Sequence, residues 1–181
     1  SGLNNLDLIV VDLPATGHAL SMLGVPQGIL GFGRVGPLGK LCGEIQDLLA
    51  DAQKTAYSIV TLPEELPINE SIQLASDLRS RLQFETSHVF INCILSNTFA
   101  PEEVDLLHEL DDASQPPVQK AILGLAKDNT QLHHRQQTRM EQLREGLNAS
   151  FVEIQHYPQK GRHLIEEIAN QISPVAAGVN G

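Results

Sequence analysis

Cysteine is scarce in this chain, positive charge is outnumbered, and no apolar run is long. The two cysteines, Cys42 and Cys93, lie far apart among 181 residues. They form no C-x-x-C pair, which argues against a zinc knuckle or a disulfide framework and leaves two free thiols. Lys and Arg number 12 against 22 Asp and Glu, a formal net charge of -10. That balance repels phosphate backbones and anionic lipid, and no long basic cluster offsets it, so nucleic acid is not an expected partner. No stretch approaches the ~18 to 20 apolar residues that span a bilayer, and the first residues lack a charged region followed by an apolar one. A soluble, cytoplasmic protein is expected. On that reading the sequons Asn69-Glu-Ser71 and Asn148-Ala-Ser150 are accidents of composition.

What is present points to an α/β fold. With 41% hydrophobic residues the chain is long enough for one domain with a sizeable core. Four strand-like runs recur, Leu6–Asp12, Tyr57–Leu62, His88–Leu95 and Phe151–His156, separated by segments of helical periodicity. Such alternation predicts a mostly parallel sheet with flanking helices. Pro63-Glu-Glu-Leu-Pro67 predicts a turn, and Asn69 is placed to cap a helix carrying Ile68, Ile72, Ala75, Leu78 and Leu82. Two short helices are expected over Pro101–Leu110 and Val118–Ala126, divided at Pro116-Pro117, and a partly exposed helix over Gln131–Leu147. The adjacent His133 and His134 would diverge by about 100° on that helix, which disfavours one shared metal ion. A turn at Tyr157-Pro158 leads to a closing amphipathic helix with Leu164, Ile165, Ile168 and Ile172, and residues 176–181 read as a frayed tail.

Two segments carry the chemistry. In the first, the apolar run Leu6–Val11 ends on Asp12, and Pro14 and Gly17 come after it within a turn. Ligands of open α/β sheets gather beyond strand carboxyl ends, where such a turn can bring backbone N–H groups to an anion. The second is Val89-Phe-Ile-Asn92, in which a polar amide interrupts a run suited to burial and needs partners there. Between them, residues 24–43 hold seven of the fourteen glycines, a density that resists a stable helix and predicts a flap, a partner-binding loop or a crossover against the sheet. Within that segment, Gly36-Pro-Leu-Gly-Lys40 imitates a phosphate loop. It fails as one, because neither Ser nor Thr follows Lys40 and the earlier glycine is absent.

Asp12-Leu-Pro-Ala-Thr-Gly-His18 resembles the switch II motif of the ArsA-like arsenical-pump ATPases, a family that includes targeting factors for tail-anchored membrane proteins. Thr61-Leu-Pro-Glu-Glu-Leu-Pro-Ile-Asn-Glu70, Val89–Asn92, Arg135–Leu147 and Tyr157-Pro158 with Gly161-Arg162 are similar to later family elements in the same order. The resemblance implies the three-layer α/β domain of a P-loop NTPase and the binding and hydrolysis of ATP with Mg²⁺. It implies that Asp12 holds a water of the Mg²⁺ shell and that Pro14, Ala15, Thr16 and Gly17 sense the γ-phosphate, with Asp12 and Gly17 the catalytic pair. His18 would begin a relay toward the helical part. Asn92 would read adenine, with Tyr157 and Pro158 lining the base pocket.

The chain also departs from the family pattern. Leu13 stands where the family more often has Thr, and Pro14-Ala15 inverts the usual Ala-Pro. Residues 24–43 are too short, and two methionines too few, for the methionine-rich client groove of the targeting factors, whose C-x-x-C dimer site is also missing. Cys42 lies downstream of His18 at a separation comparable to a metalloid pair of the pumps, yet it lacks the further thiols that a soft site prefers. No phosphate loop occurs in the 181 residues. Residues 1–175 therefore read as the C-terminal portion of one such domain, completed by a phosphate-loop segment, with 24–43 as a flap or a reduced helical insert. The leading expectation is a portion of an ATPase, inactive alone, that couples switch II to a protein cargo or membrane-protein partner, with a homodimer among its expected partners. A non-catalytic interaction domain and a ParA/MinD-like positioning ATPase are the alternatives.

Overall fold

The computed structural model describes residues 6–177 apart from 16, 34, 97–98, 101–102, 105, 107–115 and 159–160. Most of the expected helix Pro101–Leu110, together with Thr16 and tail residues 178–181, lies outside the described residues. In chain order the elements are α1 (Gly17–Leu30), α2 (Gly36–Ala50), β1 (Tyr57–Thr61), α3 (Glu65–Asp77), β2 (Thr86–Ile94), α4 (Pro117–Gly146), β3 (Ser150–Gln155) and α5 (Arg162–Ala177). The three strands form one parallel sheet in the order β1-β2-β3. Three of the four expected strands are thus present, each within two residues of its predicted ends.

The core lies where α3 and α4 pack on this sheet. Ile59, Val89, Ile91 and Ile94 of the strands meet Ile68 and Ala75 of α3 and Met140 and Leu143 of α4. Their helical positions fall at 3-to-4 and 7 spacings, the period that puts residues on one face. α3 starts at Glu65, four residues before the expected cap. Asn69 instead accepts a hydrogen bond from Gln142 Nε2 on α4 at 2.9 Å, a cross-helix role that local spacing does not reveal. Val118–Ala126 is no short helix of its own. It is the first part of the 30-residue α4, which starts at the Pro116-Pro117 break because proline is well suited to a first helical turn.

A second core joins the N-terminal helices to the sheet. After α3 a π-helical turn, Leu78–Leu82, is closed by Gln83 at φ 61°, and Leu78, Leu82 and Phe84 pack against Leu20, Leu23, Leu49 and Tyr57. Here the glycine-rich segment departs from its expectation. Residues 24–43 are mostly helical, split between α1 and α2 around a turn in which Gly33 and Gly36 take φ 124° and 83°. The two helices pack on each other, burying Ala19, Pro26, Gly39, Cys42 and Gly43. Tertiary burial outweighs a weak intrinsic propensity, as it does for most short protein helices.

Leu6–Asp12 departs as well. It pairs with no strand among the described residues, and Leu8 and Val10 are 78% and 83% exposed. A strand gains its backbone hydrogen bonds from a neighbour, and the described residues supply none at the outer edge of β1.

Candidate functional site

A cleft of about 640 Å³ opens at the carboxyl ends of the three strands. Leu62 and Pro63 leave β1, Cys93 and Leu95 end β2, and His156 follows β3, while Glu64 and Glu65 open α3 and α4 supplies His134, Arg135, Gln136 and Arg139. Parallel α/β sheets bind ligands beyond the carboxyl ends of their strands. One wall is braced by ion pairing and amide contacts: Arg139 Nη2 donates to Glu65 Oε2 at 2.7 Å and its Nη1 to Gln142 Oε1 at 3.2 Å. Arg135 is exposed and makes no ion pair among the described residues, so its charge is free to meet an anion.

The end of β2 is irregular. Its register with β3 shifts between Ile91 and Ile94, and Cys93 takes φ 62°. A left-handed non-glycine residue stores about 1 to 3 kcal/mol of strain and needs surroundings that hold it. Asn92 Oδ1 accepts the Cys93 N–H at 2.9 Å, and Gln136 Oε1 accepts the Leu95 N–H at 2.9 Å while its Nε2 donates to the Cys93 carbonyl at 3.3 Å. The Ile94 carbonyl accepts from His156 N at 2.7 Å, tying β2 to the end of β3. The amide expected to need partners in a buried run therefore has one, within its own bulge.

Asn92 lies near the end of β2, and Tyr157 follows the end of the neighbouring strand β3. Tyr157 is half-buried, its hydroxyl accepting from Gln171 Nε2 of α5 at 2.7 Å, and Pro158 is exposed beside it. None of the three lines the cleft, whose walls are their neighbours Cys93, Leu95 and His156. Asp12, Pro14, Gly17 and His18 are exposed and stand apart from those walls. Cys42 is a buried free thiol on the inner face of α2, and no three His, Cys, Asp or Glu side chains converge as a metal site among the described residues.

The sequence likens Arg135–Leu147 to a family helix without assigning it to the site, and singles out neither Gln136, Arg139 nor Glu65. Gln136 carried a legible signal: it stands in phase with Met140 and Leu143 on the buried stripe of α4, where a polar side chain must be paired.

The sequence profile of the anion-transporting ATPases matches residues 39–154, which include β1, α3, β2, α4 and all but the last residue of β3. The chain belongs to that family. Among its relatives is a protein of Halobacterium salinarum named as an arsenical pump-driving ATPase, 26% identical over 134 residues. The ATPase BagA of Mycobacterium tuberculosis is 29% identical over 98 residues. These alignments cover 65% and 54% of the chain but 21% and 28% of the relatives, so the chain spans about a quarter of the curated proteins it matches. This anion-transporting ATPase family chain is thus an ATPase-related α/β domain, and none of its described helices is long and apolar enough to cross a membrane.

Proposed function

We propose that this chain forms the base-recognising and switch-bearing part of an MgATP-hydrolysing site. The observation that carries the reading is the cleft at the carboxyl edge of a parallel sheet, with Cys93 and Leu95 of the bulged end of β2 in its wall and Asn92 beside them. Asn92 reads the adenine edge, and Tyr157 and Pro158 line the base. The backbone of Pro14, Thr16 and Gly17 senses the γ-phosphate, and His18, in the first turn of α1, begins the relay to the helical part. Asp12 suits the Mg²⁺ that accompanies ATP, since it is exposed, without an ion pair among the described residues, and Mg²⁺ keeps most of its waters while taking one or two carboxylates. Bound Mg²⁺ supplies charge neutralisation on the phosphates.

In this reading a separate phosphate-loop segment completes the site, and the switch acts on a protein cargo or membrane-protein partner, with a second copy as a further partner. Two observations support a missing neighbour: the exposed apolar run Leu6–Val11 and the unpaired outer edge of β1 among the described residues. Thermal unfolding of the full chain with and without MgADP tests the base half. A nucleotide at 100 times its Kd adds about 2.7 kcal/mol of stability. The expected result is a rise in Tm that Asn92→Ala abolishes, with phosphate release at background. No shift with millimolar MgADP or MgATP refutes the reading, and turnover that survives Asp12→Ala refutes the role of Asp12.

A second reading, an interaction domain that keeps the fold without nucleotide, draws on the tip of the α1–α2 hairpin. Phe32 and Val35 there are 97% and 91% exposed. The same titration separates the two, because that domain gains nothing from nucleotide.

A further inference from the structure

We propose that Gln136 is a positioning residue that sets base selectivity at the sheet edge beside the cleft by locking the orientation of Asn92; the inference rests on the nucleotide reading above. An asparagine facing a purine can present donor and acceptor in either order by turning its amide over. Adenine and guanine differ in that order, since adenine offers an amine donor where guanine offers a carbonyl acceptor. Selectivity therefore requires an amide that cannot turn.

The bulge of β2 provides that restraint. Asn92 Oδ1 is held by the Cys93 N–H at 2.9 Å, and reversing the amide would set a donor against a donor. Its Nδ2 and its remaining Oδ1 lone pair have no partner among the described residues, which leaves one donor and one acceptor in fixed order. Turning over the Asn92–Cys93 peptide, which changes Asn92 ψ and Cys93 φ together and releases Cys93 from φ 62°, would point the Cys93 N–H away from Oδ1. A strand end of this kind relaxes unless something holds both sides of the strained residue.

Gln136 does so. Gln136 is 7% exposed, and its amide accepts from the Leu95 N–H and donates to the Cys93 carbonyl, the groups that the register shift removes from pairing. The helix that carries it is pinned nearby by Met140 and Leu143, both fully buried. The order of restraint thus runs from the α4 core to Gln136, to the bulge, and to Asn92.

The test uses the full chain and three proteins: wild type, Gln136→Met, which fills the same volume without hydrogen bonds, and Gln136→Glu, which keeps the acceptor for Leu95 and loses the donor to Cys93. Amide hydrogen exchange is followed at Leu95, with Val89 and Ile91 as controls, and MgADP and MgGDP are titrated separately. In Gln136→Met, exchange at Leu95 is expected to rise about tenfold with the controls unchanged, and the preference for ADP over GDP to fall about tenfold, the loss expected of one or two hydrogen bonds. Gln136→Glu is expected to keep Leu95 protection and part of the preference. Unchanged Leu95 protection in Gln136→Met, or an unchanged preference in a chain whose ADP binding depends on Asn92, overturns the proposal. Absence of ADP binding to the wild type refutes the nucleotide reading itself and this role with it, a result distinct from either failure of the clamp.

Discussion

Two runs of this chain have nearly the same grammar and opposite fates. Leu6–Asp12 and Val89–Asn92 are both apolar, rich in β-branched residues, and end on a polar side chain. Val89 and Ile91 are fully buried, whereas Leu8 and Val10 lie mostly in solvent. The difference is company. β2 has a strand on each side and the faces of α3 and α4 above it, while the first run has no paired neighbour among the described residues. Strand propensity is largely the capacity to fit a pleated, covered surface, and that surface must exist before the propensity is realised.

The largest expected effect breaks the comparison at its buried member. Ile91→Ala should cost about 2 to 5 kcal/mol in urea denaturation, the range for removing most of a buried side chain from a packed core. Val10→Ala should stay within about 0.5 kcal/mol, as exposed substitutions do. Similar losses at both sites would show that the first run is packed in solution and end the contrast.

A middle effect tests the second core, which joins the hairpin to the sheet. Tyr57 stacks on Phe84 at 4.7 Å between ring centroids, and its hydroxyl donates to the Leu49 carbonyl at 2.9 Å. Burial pushes its phenol from the ordinary 10.0 up to about 12. The unfolded chain therefore loses this proton first, so the contribution is complete below pH 10 and declines as pH rises from about 10 to 12. Stability measured across that interval should fall in the wild type, and Tyr57→Phe should remove this component of the fall. An identical alkaline profile in the two proteins would place Tyr57 in solvent.

The smallest effect sharpens the same contrast on the outside of the hairpin. Phe32→Ser, at a side chain 97% exposed, should change stability by no more than about 0.5 kcal/mol. A larger loss would mean that the hairpin tip is covered.

Legibility in the sequence divides along the same line. The three paired strands were readable because their own periodicity and the helices between them predict parallel pairing. Pro116-Pro117 announced the start of α4, but continuity from Val118 to Gly146 did not show, because Lys127–Gln131 breaks the apolar pattern without breaking the helix. The helical hairpin was hidden by glycine, whose penalty is local while the packing that offsets it is not. At the site, Asn92 stood out as a polar residue in an apolar run. The bulge did not, since φ 62° at Cys93 is sustained by a glutamine 43 residues away.

By itself the sequence determined the period of each element, the chemistry available at each turn, and the family likeness, all of which depend on residues close together along the chain. Only the tertiary structure decided which apolar run became a strand, that seven glycines fit a helical hairpin and its turn, and how Asn92 is held. Those outcomes depend on burial and on hydrogen bonds between distant residues, and such partners are chosen by the fold and not by the local sequence.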